Sequence, residues 1–340
     1  MSLPSYVQAI TIPKTGGVDV MEKTKQPFPK VNPGDIVIKV EYAGVNFIDT
    51  YHRSGLYPVP QFPAIIGKET AGYIVAMPSD EGVLNNETFK KCGFRVGGKV
   101  AADYSGTHAT YISVPWDSVY SVPENVPTRI AAASVLQGLT AVTFTEEAYD
   151  IQKGDIILIH TVAGGLGLLL CQLAKLKGAT VIGTTSTEEK RRLAIENGAD
   201  HVILYRQEDT VQRVLEITNG EGVHAVYDGV GKDTFDNDLK LIKRKGTIVS
   251  VGNASGAVPP FSILRLSEKN VTLLRPTMGN YVYTPEEGYY YGHKVFDLIS
   301  KGLLKVHVFK EYPFTSEGVQ QAHNDLTGGR TIGKLVIKVE

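Results

Sequence analysis

Residues 158–184 read "LIHTVAGGLGLLLCQLAKLKGATVIGT", and the fold follows from how this stretch changes character. An apolar run enters a turn holding Gly164, Gly165 and Gly167, a leucine-rich pattern leaves it, and a second apolar run closes it. Leu166, Leu169, Leu170, Leu173 and Leu176 recur at helical spacing, which predicts a helix packed on a sheet. Strand, glycine turn, helix and strand in about 30 residues make a βαβ unit. A helix N-terminus exposes unpaired main-chain N–H groups and the positive end of its dipole. Glycine lets a pyrophosphate come close to those amides. Against the G-x-G-x-x-G template, "VAGGLG" places Gly164 and Gly167 at the second and third glycine positions and Val162 at the first. Taken alone, the same glycines would also serve a close helix–strand contact with no ligand.

Outward from this turn the strand–helix rhythm continues. Short apolar runs predict strands at 155–160, 179–184, 201–204, 223–228, 246–251 and 271–274, with helices at 165–177, 187–197, 208–217 and 234–242. Six such strands describe an α/β fold with a doubly wound parallel sheet. The first ~125 residues differ: runs at 35–45, 70–77 and 109–115 are rich in β-formers and bounded by Gly and Pro. Between the two regions, helices are expected at 128–135 and 138–148, broken near Gly138. The tail adds a helix at 285–301, the run "KVHVFKEYPF", a helix near 315–326 and a strand "IGKLVIKVE". It returns to the N-terminal β region rather than extending the six-stranded sheet.

The end of the second strand bears on the ligand. An NAD site ordinarily carries Asp or Glu there, about 20 residues past the turn, on the ribose hydroxyls. Here Thr184, Thr185 and Ser186 occupy the place, with Lys190 four residues past Ser186. Hydroxyls admit a ribose 2′-phosphate that a carboxylate would repel, and Lys190 would meet it, so NADPH is the expected cofactor. Lys190, Arg191 and Arg192 also read as an ordinary solvated helix face. Glu188 and Glu189 suit the positive end of the helix dipole.

Composition sets the limits. The chain has 340 residues, 42% hydrophobic and 21% charged, with a formal net charge of −1, which suits about two globular domains. The balance gives no general attraction to nucleic acid or anionic membrane. Cys92 and Cys171 are the two cysteines, and Cys171 lies in the leucine pattern as a buried thiol, in keeping with a reducing compartment. No apolar run approaches the ~20 residues that cross a bilayer, and the N-terminus lacks a signal-peptide pattern. The expected location is the cytoplasm, with the nucleus as a second site.

The stretches "AGVNFIDTYHRSGLYP" (43–58), "VAGGLG", "VYDGVGKDTFD" (226–236) and "VSVGNASGAV" (249–258) resemble the zeta-crystallin-like quinone oxidoreductases, zinc-free members of the medium-chain dehydrogenase/reductase superfamily. The resemblance covers essentially the whole chain. It implies a GroES-like substrate domain from 1–127 and 276–340, a Rossmann NADPH-binding domain over 128–275, and a homodimer joined through the Rossmann domains at "VTLLRPTMGNYVY". It also implies a set of roles. Asn46, Asp49 and Tyr51 would stand beside the nicotinamide, Asn46 and Tyr51 also bordering the substrate cleft, and Thr140 would face the ring. Gly164, Gly165, Leu166 and Gly167 would hold the pyrophosphate. Lys190 would take the 2′-phosphate with Ser186 nearby, Tyr205 would cover the adenosine, and Asn253, Ser255 and Arg330 would complete the cofactor cleft. Tyr57 and Arg275 are substrate-pocket residues on the same reading. Two positions depart from the family pattern: Lys68 stands where quinone reductases carry threonine and zinc enzymes histidine, and Gly229 where some relatives have serine.

No metal is expected. Asn46 and Lys68 occupy the places of the catalytic cysteine and histidine ligands, leaving Glu69, and Cys92 is alone where a structural zinc lobe needs four cysteines. Hydride transfer to a quinone needs position and a dry cleft. Donors such as Asn46, Tyr51 or Arg275 would meet the developing oxyanion. Whether electrons pass singly or in pairs is not written in the residues. The alternatives are reduction of α,β-unsaturated aldehydes and ketones, an additional role in binding AU-rich RNA suggested by relatives and by the short basic clusters "KRRL" and "IKRKG", and a purely structural crystallin-like role.

Overall fold

The computed structural model describes residues 3–340. They divide into two compact units: the chain up to Leu139 together with Val282–Glu340, and Thr140–Tyr281. This division lies beyond the expected boundaries at 127/128 and 275/276. The helix Thr128–Ala132 packs on the strands Asp35–Val45, Glu69–Ala76 and Lys99–Asp103, and the Leu136 N–H donates to the Glu69 carboxylate at 2.9 Å. These contacts assign the segment to the first unit. The Tyr281 ring lies edge-on to Phe144 at 6.1 Å, which keeps the residues before Val282 with the second. Gly138 does not break a helix. It sits inside the helix Val135–Thr143, where a Cβ would stand 2.6 Å from Val295 Cγ1, so it is a close-packing glycine. The break comes earlier, at Ala133–Ser134, where the Ser134 hydroxyl donates to the Ile130 carbonyl at 2.8 Å.

In the unit Thr140–Tyr281, six parallel strands lie in the order His201–Leu204, Thr180–Thr185, Ile156–Ile159, Val223–Asp228, Ile242–Ser250, Thr272–Leu274. Numbered within the unit this is the doubly wound order 3-2-1-4-5-6, with its switch point between the first and fourth strands. Apolar side chains cover both faces: Leu158, Ile182, Ile203, Val226 and Ile248 form one buried cluster with Val214 and Leu241 of the helices, and Ile157, Ile159, Val181, Ala225 and Val249 are buried at the alternate positions. The fifth strand begins at Ile242 rather than 246. It pairs Val223 with Ile242 and then shifts register before Ala225, and Lys245 adopts a left-handed φ of 64°. In the helix Gly165–Leu176 the buried residues run through Leu168, Leu169, Leu170, Cys171, Leu173 and Ala174. Leu176, expected to pack on the sheet, is 53% exposed.

In the other unit the last strand, Lys334–Lys338, pairs antiparallel with Asp35–Val45, setting Leu335 opposite Val45. The tail thereby joins a sheet in the order Val308–Pro313, Lys334–Lys338, Asp35–Val45, Glu69–Ala76, Lys99–Asp103, Val119–Ser121. A three-stranded sheet built on Tyr6–Ile12 stands apart. Ile36, Ile38, Val40, Ile74 and Trp116 fill one core and Ile10, Ile12, Val45, Leu335 and Ile337 a second.

Candidate functional site

The glycine turn of the six-stranded unit is built as its sequence requires. The strand Ile156–Ile159 runs on through His160 and bends at Thr161, a non-glycine residue at φ 54°. Gly164 caps the following helix in an extended conformation. A Cβ at Gly167 would stand 2.5 Å from the Thr161 carbonyl oxygen and 2.8 Å from Val162 Cα, so glycine here permits the helix to close on the strand. Val162, at the first glycine place, is fully buried. Its N–H donates to the Thr184 carbonyl at 3.1 Å, and a Cβ on Gly183 would collide with its side chain. A glycine on the neighbouring strand thus makes the space that the valine fills. The first-turn amides from Gly165 onward open on the carboxyl edge of the sheet, the geometry that receives a phosphate.

At the end of the second strand, Thr184 is not the open hydroxyl that its position suggests. It is 2% exposed, and its Oγ1 lies 2.9 Å from His160 Nδ1. His160 Nε2 in turn lies 2.9 Å from Asp238 Oδ1. Burial works against the charged imidazole, but the Asp238 carboxylate outweighs it and holds the His160 pKa above its ordinary value. Burial pushes the Asp238 carboxyl up to about 6 against the pull of His160. Asp228 lies beside them, its carboxylate accepting from the N–H groups of Val230 and Gly231 and from the Thr234 hydroxyl. The ligand atoms of His160, Asp228 and Asp238 fall within 4.8 Å of one another. With Asp228 and both imidazole nitrogens engaged, the cluster is a hydrogen-bonded tie behind the turn.

Lys190 sits in the first turn of the helix Glu188–Glu196, whose cap, Thr187, accepts from the Lys190 N–H. Burial lowers the Lys190 pKa, and the Arg206 guanidinium lowers it further. Arg206 escaped the sequence reading. Its signal, a cation directly after Tyr205 and the third strand, was in plain view in "ILYRQED". Arg191 faces elsewhere, paired with Glu208 at 2.9 Å and Glu188 at 3.3 Å. Ser186 is buried and Tyr205 is 49% exposed.

Further along the edge, Arg275 donates to the Ser250 carbonyl at 3.0 Å, the Ser250 hydroxyl at 3.1 Å and the Gly252 carbonyl at 3.2 Å. In the amide orientation that satisfies both its atoms, Asn253 accepts from the same guanidinium at 3.2 Å. Arg275 therefore organises the loop after the fifth strand. Ser255 joins two loops, accepting from the Asp233 N–H at 3.1 Å and donating to the Val230 carbonyl at 2.9 Å. At Gly229 a Cβ would meet only Thr161 Oγ1, at 3.7 Å, so there is room for a side chain. Thr140 opens the unit, and its carbonyl accepts from Thr143 Oγ1 at 3.3 Å.

The other unit brings together Asn46, Asp49, Tyr51, Tyr57 and Glu69. Asn46 caps the helix Phe47–Ser54. Its N–H donates to Asp49 Oδ2 at 2.8 Å, and its amide Nδ2 donates to Glu69 Oε1 at 2.8 Å. Lys334 Nζ donates to Asn46 Oδ1 at 2.6 Å and pairs with Glu69 Oε1. Asn46, Glu69 and Lys334 are all at most 5% exposed. Burial raises the Asp49 pKa to about 7. The Tyr51 and Tyr57 rings stand 5.1 Å apart, with His52 5.9 Å from Tyr57. Lys68 lies 3.4 Å from Asp103, whose carboxyl burial pushes up to about 6. Arg330 is exposed on the tail. Lys334 is the second residue missed by sequence reading: nothing in "IGKLVIKVE" marks the first of its two lysines as buried, because only strand pairing sets it beside Asn46.

Comparison with known proteins agrees with this architecture. Residues 32–124 match the alcohol dehydrogenase GroES-like domain and residues 165–291 the zinc-binding dehydrogenase family. The chain is 38% identical over 335 residues to a probable quinone oxidoreductase of Schizosaccharomyces pombe, covering 96% of each. It is 33% identical over 342 residues to a 2-haloacrylate reductase of Burkholderia, covering 97% of this chain and 98% of the relative. The crystal structure of Escherichia coli quinone oxidoreductase complexed with NADPH superposes with a TM-score of 0.90 at 34% identity, covering 98% of this chain and all of that one.

Proposed function

Since the chain belongs to the quinone oxidoreductases of the medium-chain dehydrogenase/reductase superfamily, we propose that it transfers reducing equivalents from NADPH to a small quinone. The observation that carries the cofactor choice is the end of the second strand. It holds no carboxylate, and burial together with the positive charge of Arg206 lowers the Lys190 pKa. A bound 2′-phosphate would offset that repulsion. Charge-assisted hydrogen bonds contribute about 1.5–3 kcal/mol, so NADPH should bind about 10- to 100-fold more tightly than NADH. Calorimetry with both coenzymes tests this, and equal affinity would refute it.

When bound, NADPH supplies the hydride; the chain supplies place and charge. The amides after Gly164 hold the pyrophosphate, with Gly165, Leu166 and Gly167 forming the first turn. Lys190 and Arg206, beside Ser186, take the 2′-phosphate, and Tyr205 covers the adenosine. Asn253 and Ser255, each tied to the loops around them, hold the cofactor at the far edge, with Thr140 and Arg330 as further contacts. Asn46 and Tyr51 are assigned to the reacting end, where they donate hydrogen bonds to the oxygen that gains charge. Asp49 fixes the helix that carries them, and Tyr57 and Lys68 shape the acceptor site. Steady-state NADPH oxidation with 1,2-naphthoquinone, p-benzoquinone and 2-hexenal separates quinone reduction from reduction of unsaturated carbonyls.

The partners follow the same order of support. A homodimer through the sheet edge is favoured because Thr272–Leu274 pairs on one side only among the described residues, and Ile263 and Leu264 nearby are 76% and 75% exposed. Light scattering tests it. AU-rich RNA has less behind it, since Arg191 of the basic cluster "KRRL" is committed to Glu188 and Glu208; a salt-dependent shift assay decides. No helix among the described residues is long and apolar enough to cross a membrane, and the cytoplasm is the location we propose, testable by fractionation.

A further inference from the structure

The Asn46 amide is held at both ends by opposite charges. Its oxygen faces the Lys334 ammonium and its nitrogen faces the Glu69 carboxylate, while Glu69 Oε2 is fixed by the Leu136 N–H at 2.9 Å. Rotating the amide by half a turn would set NH₂ against ammonium and oxygen against carboxylate, so only one orientation is satisfied. The arrangement is assembled from distant sequence. Lys334 enters one residue before Leu335, which pairs with Val45 beside Asn46. Gly44 leaves space for the carboxylate, since a Cβ there would collide with Glu69 Oε1. Stability alone does not account for such a pair, because replacing a buried ion pair with apolar side chains is often neutral or stabilising. An amide nitrogen carries two hydrogens. Glu69 takes one, and the Asn46 amide nitrogen donates no second hydrogen bond among the described residues, the capping-box contact to the Asp49 N–H falling on the side-chain oxygen.

We propose that Lys334 and Glu69 are positioning residues that lock the Asn46 amide with its nitrogen as the donor, and that the second N–H is presented to the oxygen that gains charge during reduction. The proposal rests on the hydride-transfer reading above. It gives the chain a further determinant of catalysis in a lysine far from Asn46 in sequence, acting through Asn46 alone.

A double-mutant cycle on the full chain tests it. Lys334→Met and Asn46→Ala are measured singly and together for kcat with 1,2-naphthoquinone and for the NADPH dissociation constant, with melting temperature as the fold control. The expected result is that Lys334→Met lowers kcat at least tenfold in the wild-type background and less than twofold in the Asn46→Ala background. Should Lys334→Met fail to fold, Lys334→Met/Glu69→Gln removes both charges and takes its place in the cycle. Equal fold-losses in the two backgrounds overturn the proposal, because they mean that the lysine acts independently of Asn46. A folded Lys334→Met that keeps full kcat overturns it as well. Wild-type protein that oxidises NADPH with neither quinones nor 2-hexenal sinks the parent reading and this one with it, whereas active wild type with an additive cycle sinks this one only.

Discussion

Replacing Gly167 and Gly164 separately should divide folding from cofactor binding at the same turn. In Gly167→Ala the new methyl would lie 2.5 Å from the Thr161 carbonyl oxygen and 2.8 Å from Val162 Cα and its carbonyl oxygen. All three are main-chain atoms, so no side chain can swing away, and the helix start must retreat by about half an ångström or more to restore ordinary contact. Overpacking of this kind costs about 1–3 kcal/mol, offset by up to about 1 kcal/mol from removing a glycine inside a helix. The net loss is roughly 1–2 kcal/mol, a fall in melting temperature of about 2–8 °C, and the displaced amides should weaken NADPH and NADH alike. At Gly164 a methyl would stand 3.2 Å from one atom, the Thr161 oxygen, on a backbone that alanine readily adopts (φ −75°, ψ 165°). Stability should change by less than about 1 kcal/mol, because the weaker helix cap is offset by a less flexible unfolded chain. The methyl would occupy the approach to the amides, so NADPH affinity should fall at least tenfold. Thermal melts with and without coenzyme provide the assay, since ligand at 100 times its dissociation constant stabilises by about 2.7 kcal/mol. Unchanged melting of Gly167→Ala, or wild-type NADPH affinity in Gly164→Ala, would refute the phosphate-turn argument.

Three further outcomes are expected. Lys190→Ala should weaken NADPH about 10- to 100-fold with NADH within twofold by calorimetry. The free protein should not lose stability, because burial and Arg206 already disfavour the charged lysine, a penalty present at neutral pH and relieved as pH rises through the lowered lysine pKa. Gly229→Ser should fold normally, given the open space at its Cβ, and bind NADPH as tightly as wild type or more so; a clear drop in melting temperature would contradict that geometry. In the β-rich unit, burial lowers the pKa of His323 to about 3 and of His108 to about 4, and neither His323 nitrogen has a hydrogen-bond partner. The unfolded chain takes up protons below the ordinary histidine value while the folded chain does not, so each histidine costs about 2 kcal/mol between pH 7 and pH 5. The Asp49 and Asp103 carboxyls, raised to about 7 and about 6, work in the opposite direction. His323→Gln should therefore become more stable relative to wild type as pH falls from 7 to 5, and melting curves that stay parallel across that range would exclude His323 as a cause.

Local pattern carried the six-stranded unit. Its strands are continuous apolar runs because helices cover both faces, and each predicted strand has its counterpart within a few residues. Where the reading slipped, the cause was long-range packing. Gly138 resembled a helix breaker and is a contact with Val295. Residues 128–139 looked like the entry to the second unit and instead cover the sheet of the first. Thr184 stood where a ribose-facing hydroxyl was expected, and a histidine at the end of the adjacent strand turns it inward.

The sequence by itself determined the doubly wound order's raw material, the glycine turn and the absence of a carboxylate after the second strand, because periodicity and turn chemistry are local properties of the chain. The tertiary structure alone decided which polar groups meet. Lys334 reaches Asn46 only through the pairing of the last strand with Asp35–Val45, and Arg206 acts on Lys190 only because neighbouring parallel strands bring their carboxyl ends together. Charge and hydrogen bonding act through distances in space, and no spacing along the chain encodes those distances.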